Sequence, residues 1–375
     1  MKTKMKVPLS SPLIGEEEIE AVVDVLRSSQ LSLGPQTEAF EKAFAKTMGS
    51  KYAIAVNSGT SGLHLVVRSL GISDGDEVIT TPFSFIASSN CILFERATPV
   101  FVDVEYDTFN IDPAKIEAAI TPKTKAILPV HVFGQSANMT AIMDIAKRHN
   151  LYVIEDACES PLATHHGKIV GTFGECGVYG FYPNKQMTTG EGGMIITDNP
   201  EIERLCKSYR NQGRGDSMQW LSFARLGYNY RISELTAALG VVQTRKLPEI
   251  VRQRAAVADM YFERLKGIGG IKLSYPQPEN EQSWFVFGVR VNAEIRDELI
   301  KRLNADGIQS KAYFAPSIHL QDFYMEEFGY KEGDYPVSER LSREMLILPF
   351  FTMLNEEQVD YVVETLVGHM KELGH

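Results

Sequence analysis

The stretch Tyr52-Ala53-Ile54-Ala55-Val56-Asn57-Ser58-Gly59-Thr60-Ser61-Gly62-Leu63-His64-Leu65-Val66-Val67-Arg68-Ser69-Leu70 passes from an apolar run into a helical pattern through a turn of small hydroxyl residues and glycine. Residues 52–57 read as a buried strand and residues 60–70 as a helix stopped near Gly71. Working outward, further strand-like runs stand at 77–81, 99–104, 125–131 and 152–156, and a second helical pattern at 137–149 ends near Asn150. Such alternation is the sequence form of a parallel sheet covered by helices on both faces. After Asp156 the pattern changes, because the runs 176–182 and 193–197 are joined by a segment too short for a crossover helix, which predicts an antiparallel or irregular patch. A long helical pattern over 232–265 contains Pro248, which lacks a backbone donor and predicts a kink or a boundary between helices. The expected organisation is therefore α/β. A large domain over 1–248, with an N-terminal helical segment and a mostly parallel central sheet, precedes a smaller α+β domain over 249–375. In the second domain Trp284-Phe285-Val286-Phe287-Gly288-Val289 reads as a half-buried strand, with helices near 294–305 and 355–373.

Composition narrows the class of function. The 375 residues are 44% hydrophobic and 23% charged, an ordinary globular balance, and the formal net charge is −10. That sign is wrong for holding nucleic acid by phosphate neutralisation, so an anionic small ligand must be held by local dipoles and a few placed cations. The four cysteines, Cys91, Cys158, Cys176 and Cys206, show no paired ligand spacing and read as reduced, mostly buried thiols. His165-His166 has no partner at metal-ligand spacing and reads as an exposed turn, so no metal is expected. The basic start Met1-Lys2-Thr3-Lys4-Met5-Lys6 is not followed by an apolar signal core, and no stretch is long enough to span a bilayer. The expectation is a cytoplasmic protein with no membrane partner.

Three features carry chemistry. The turn Asn57-Ser58-Gly59-Thr60-Ser61-Gly62, between a strand end and a helix start, leaves backbone N–H groups free to converge on a phosphate. An N-capped helix explains the same residues without a ligand. Asp156 closes an apolar strand, and in open parallel sheets ligands bind beyond the carboxyl ends, where a carboxylate can hold a proton on a ligand nitrogen. A carboxylate that caps the next turn is the plainer reading of Asp156 alone. Lys185, in Gly180-Phe181-Tyr182-Pro183-Asn184-Lys185-Gln186-Met187-Thr188-Thr189-Gly190-Glu191-Gly192-Gly193, is framed by aromatics, proline and glycines, as suits a desolvated amine that attacks a carbonyl, although a solvated surface charge is the plainer reading of Lys185 alone. Pyridoxal 5′-phosphate requires these three provisions together, a phosphate cradle, an acid for its ring nitrogen and an imine-forming lysine.

The sequence also resembles the DegT/DnrJ/EryC1/StrS aminotransferases of pyridoxal-phosphate fold type I. The resemblance runs through Ile14-Gly15-Glu16-Glu17-Glu18-Ile19, Leu33-Gly34-Pro35, Asn57-Ser58-Gly59-Thr60-Ser61, Gly75-Asp76-Glu77-Val78-Ile79, Pro129-Val130-His131-Val132-Phe133-Gly134-Gln135, Ile154-Glu155-Asp156-Ala157-Cys158-Glu159, the lysine segment, Arg210-Asn211-Gln212-Gly213-Arg214, Gly227-Tyr228-Asn229-Tyr230-Arg231 and Leu348-Pro349. It implies that Lys185 holds the cofactor as an imine and then moves the proton, that Asp156 pairs with the pyridine nitrogen, and that Phe85 stacks on the ring. It further implies that Gly59 and Thr60 hold the phosphate, that Glu159 lies near the ring hydroxyl, and that Asn229 reaches the phosphate of the neighbouring subunit in a homodimer with shared sites. His319, Arg214 and Arg231 fall in family blocks and are candidate substrate contacts, with loop packing and ordinary surface charge as the plainer readings. Gly180 departs from the pattern, since many members carry a phosphate-binding serine there. The activity implied is amino transfer, with L-glutamate as donor, to a keto group of a nucleotide-linked sugar. A ketocyclitol or other non-nucleotide acceptor, and a catalytically silent cofactor-binding sensor, stand as alternatives.

Overall fold

The computed structural model describes residues 5–215 and 222–375. The central sheet has seven strands: β1 (Tyr52–Val56), β2 (Glu77–Thr80), β3 (Thr98–Phe101), β4 (Thr124–Ile127), β5 (Tyr152–Asp156), β6 (Cys176–Gly180) and β7 (Gly193–Thr197). Their spatial order is β1-β7-β6-β5-β4-β2-β3. Only β7 runs antiparallel to its neighbours β1 and β6, and the remaining pairs are parallel. The short link between β6 and β7 thus makes the antiparallel patch that its length predicts. Parallel strands are covered on both faces, which is why Val153 and Ile154, on opposite sides of β5, are both buried.

Helices α1 (Glu16–Ser28) and α2 (Pro35–Met48) pack on a long helix that begins at Glu234, while α3 (Gly59–Ser69) crosses from β1 and buries Leu63, Leu65, Val66 and Val67 against the sheet. Ser58 caps α3 by accepting from Ser61 N at 3.0 Å, so the helix starts where the hydroxyl-rich turn ends. Next come α4 (Ala87–Leu93), α5 (Met139–His149), capped by Asn138, and α6 (Pro200–Arg210), capped by Asn199 with Pro200 in its first turn.

Pro248 ends nothing. Helix α7 (Glu234–Leu265) runs through it as one element of 32 residues. The proline forfeits one backbone bond, and burial at both ends of the helix outweighs that loss. Leu247 packs with Phe40 and Phe44, whereas Val257, Tyr261 and Leu265 join a second core with Val289, Leu299, Leu346 and Val359. That second core is built on the antiparallel pair β8 (Phe287–Arg290) and β9 (Met345–Leu348), with α8 (Ala293–Ala305) and α9 (Glu356–Glu372) over it. The first described residues also pack there: Val7 is fully buried in the second core and bridges to Ile308. Val7 therefore packs with residues that follow Pro248 in the chain.

The aromatic run of 284–289 is not a half-buried strand. Trp284, Phe285, Val286 and Phe287 are all buried, and β8 starts only at Phe287 because Trp284, at φ +53°, breaks the extended path. His165 also differs from expectation. It is buried, with Nδ1 2.8 Å from Asn280 Oδ1 and Nε2 2.8 Å from Thr140 Oγ1, so it ties two segments together and is no exposed turn. Among the described residues the cysteines are free, and no helix is long and apolar enough to cross a membrane.

Candidate active site

The carboxyl ends of β1, β5 and β6 open on one cavity of about 790 Å³, walled on its far side by Phe285, Tyr313 and Phe314. Gly59 and Thr60 open α3 and line the cavity, and the N–H groups at a helix start, which have no partner within the helix, are anion donors. A Cβ on Gly59 would lie 2.8 Å from Cys158 Sγ, so the close approach of that turn to Cys158 requires glycine. At Gly180 a Cβ would meet Cys158 no closer than 3.5 Å, so the glycine there leaves room for a larger residue.

Asp156 sits at the end of β5, almost wholly buried. Ser88 Oγ donates to its Oδ2 at 2.7 Å and Cys158 N to its Oδ1 at 3.1 Å. The carboxylate is thus oriented from both sides and keeps acceptor capacity facing the cavity it lines. Its neighbour Glu155 points the other way. Fully buried, it accepts from Gly171 N, Phe173 N and Gly174 N at 2.6–2.9 Å and stands 3.1 Å from His131 Nε2. Since His131 Nδ1 accepts from Ala137 N, Nε2 carries the proton and donates to Glu155. This pins the end of β5 from behind.

Lys185 Nζ lies 3.3 Å from Glu159 Oε1 and 3.8 Å above the centre of the Phe285 ring. Glu159 Oε2 accepts from Phe133 N at 2.9 Å. Burial pushes the Glu159 carboxyl above the ordinary carboxylate range, against the pull of the Lys185 ammonium and the Phe133 N–H. Burial, reinforced by Asp156, likewise holds the Cys158 thiol well above its usual value, so Cys158 packs as a neutral wall of the cradle.

Of the residues singled out from sequence, Gly59, Thr60, Phe85, Asp156, Glu159 and Lys185 all line this cavity. Phe85 is 64% exposed, an apolar face turned to the opening. The other four do not line it. Asn229 is exposed and bridges to Asn211, Arg231 Nη1 bonds Asn211 Oδ1 at 3.0 Å, and Arg214 bonds Asn211 through its backbone with its guanidinium beside Phe223. His319 is fully buried between Glu339, 3.2 Å from its Nε2, and the Tyr335 ring. In this chain it has the position of a loop-packing histidine. Sequence reasoning passed over Ser88, Phe285 and Tyr313. The run around Phe285 carried a signal in its unusual density of aromatics, but strand patterning absorbed it.

A sheet of this topology with a lysine, an aspartate and a helix-start cradle on one cavity is the fold of the type I pyridoxal-phosphate-dependent transferases, an α/β class of enzymes. The chain belongs to the DegT/DnrJ/EryC1/StrS aminotransferase family, whose profile matches residues 12–367. It is 36% identical over 374 residues to the spore coat polysaccharide biosynthesis protein SpsC of Bacillus subtilis, covering 96% of each chain. It is 37% identical over 366 residues to GDP-perosamine synthase of Caulobacter vibrioides, covering 96% of this chain and 97% of that one. Among solved structures, DesV of S. venezuelae in complex with a ketimine intermediate superposes with a TM-score of 0.91 at 34% identity, over 97% of this chain and 98% of that one.

Proposed function

We propose that this chain is a pyridoxal-phosphate-dependent aminotransferase that moves an amino group from L-glutamate to the keto group of a nucleotide-linked sugar, acting in the cytoplasm as a homodimer with shared sites. The observation that carries the reading is the convergence of Lys185, Asp156 and the α3 cradle on one cavity. The donor set fits the cofactor: N–H groups for a dianion, a buried carboxylate for a ring nitrogen, an amine for an aldehyde, and an exposed Phe85 for an aromatic face. Bound there, the cofactor supplies the electron sink on which amino transfer depends.

The chain's own groups do the rest. Asp156, fixed by Ser88 and Cys158, holds the proton on the ring nitrogen. Lys185 Nζ would hold the cofactor's aldehyde carbon and, as a free amine, would carry a proton between the substrate carbon and the cofactor, with Glu159 Oε1, 3.3 Å away, keeping that amine in register. Phe285 and Tyr313 exclude water from the amine's side of the cavity. Asn229 serves the partner's cradle, which accords with its exposure and its absence from the cavity of its own chain. The nucleotide-sugar acceptor draws support from the GDP-perosamine synthase relative.

The test is spectroscopic. Purified protein given pyridoxal phosphate should develop a yellow absorption band that bleaches on addition of L-glutamate, and the bleached protein should recover its band with a nucleotide-linked ketosugar and not with free ketocyclitols. A colourless protein that responds to neither reagent refutes the reading, and recovery with a cyclitol alone moves the acceptor to the alternative class.

A further inference from the structure

On α7, well outside the cavity, Arg254 is 2% exposed and forms no ion pair among the described residues. Its guanidinium donates from Nε to Trp284 O and from Nη2 to Phe285 O, both at 2.7 Å, and lies 4.8 Å from the centre of the Phe350 ring. A buried cation with no carboxylate is costly, and burial alone pulls this one down to about 9. A structure that retains such a charge has a use for its shape. The forked guanidinium reaches two successive carbonyls at once from separate nitrogens of one rigid plane, a span that a single ammonium nitrogen lacks.

Those carbonyls belong to a strained turn. Trp284 stands at φ +53°, a costly region for a bulky side chain. The turn lies against a second one: Ser283 N donates to Gly134 O at 2.8 Å and Phe285 N to Phe133 O at 3.2 Å, with Phe133 and Gly134 also at positive φ. A Cβ at Gly134 would fall 2.6 Å from Trp284 N, so the two turns touch backbone to backbone. Between them they carry both groups that face the amine. Phe133 N holds Glu159 Oε2, Glu159 Oε1 meets Lys185 Nζ, and the Phe285 ring lies beneath the same nitrogen.

We propose that Arg254 is a positioning residue for the reactive amine: it clamps the Trp284–Phe285 turn from outside, so that the Phe285 ring forms the floor on which Lys185 Nζ rests. The inference rests on the reading that Lys185 captures the cofactor, and it goes beyond that reading by assigning the amine's placement to a residue that touches neither amine nor cavity.

The experiment follows capture and not turnover. Cofactor-free protein is mixed with pyridoxal phosphate, the bond is fixed with borohydride at timed intervals, and labelling of the Lys185 peptide is counted by mass spectrometry. Wild type, Arg254→Lys, Phe285→Leu and the double variant are compared. Each single change should slow capture about tenfold. Because Arg254 acts through Phe285, the double variant should be no slower than Phe285→Leu alone. Multiplied slowing in the double variant, or wild-type capture in either single variant, overturns the inference. Absence of label at Lys185 in wild type overturns the functional reading itself, and the inference with it, so the two failures are told apart in one series.

Discussion

Lys185 is the only lysine on the cavity wall among the described residues, so its nitrogen has no substitute there. Lys185→Ala should lower turnover by at least about 10³-fold, the loss expected of a positioned proton carrier that also forms a covalent bond, while the folded protein persists. Steady-state kinetics with a melting curve checks both halves. The two cradle glycines should part company. Gly59→Ala drives a methyl group to 2.8 Å from Cys158 Sγ, which forces the first turn of α3 outward and should weaken cofactor binding by about tenfold. Gly180→Ser places its Cβ at an ordinary 3.5 Å from Cys158 and, on the proposed reading, adds a hydroxyl donor for the cofactor's phosphate. It should fold normally and tighten binding by about 1 kcal/mol, or roughly fivefold. Equilibrium dialysis of the cofactor measures both. Of the six cavity residues, Gly59, Thr60, Asp156 and Lys185 could be read from local signals, a helix start, a strand end and a framed lysine, whereas Phe85 and Glu159 are marked only by the family resemblance. Phe285 has only the density of aromatics around it as a signal and Arg254 has none, because their contacts with Lys185 and Trp284 come from far along the chain.

Among the elements, strand and helix positions followed the sequence closely where local pattern and burial agree. Strands β5 and β7 occupy the runs 152–156 and 193–197 without a shift. Pattern failed where a tertiary partner outweighed a local rule. Helix α7 continues past Pro248 because its two halves are anchored in different cores, and the aromatic run bends at Trp284 because Arg254 and Gly134 hold it so. Helix α3 shows what one element adds to a site. Its first turn forms the cradle, and its middle carries His64, which is buried 2.7 Å from Glu95 Oε1 and 3.2 Å from Tyr230 OH. Tyr230 O in turn accepts from Asn57 N at the cradle's edge. Arg68 pairs with Glu95, and the Tyr228 ring flanks His64. Burial depresses the His64 pKa below 6.5 against the pull of Glu95, with Arg68 adding to the depression. The unfolded chain therefore binds this proton near 6.5 and the folded chain only at lower pH. Stability from this group is complete above that value and declines as pH falls through and below it. Urea unfolding above and below pH 6.5 should show a larger acid loss for wild type than for His64→Asn. Equal losses would remove His64 from the account.

For the molecule as a whole, the cavity draws its inner wall from the sheet and its outer wall from Phe285 and residues 312–316, yet the segment bearing Asn229 lies outside it. The same region exposes Leu226 (72%) and Phe223 (51%), apolar surface that a second copy of the chain would cover. A shared site has an arithmetic signature. Lys185→Ala and Asn229→Asp, the second setting a carboxylate against the cofactor's phosphate, should each disable a homodimer. Co-expressed with different tags and purified through both, the hybrid dimer places the intact Lys185 of one chain opposite the intact Asn229 of the other in one site, and gathers both lesions in the second. Turnover should return to about half that of the wild-type dimer, as two-fold symmetry requires of one good site in two. If each site were built within a single chain, both sites of the hybrid would carry one lesion and no activity would return. Recovery in the hybrid, with each parent inactive, is thus a result that only an exchange of Asn229 between subunits produces.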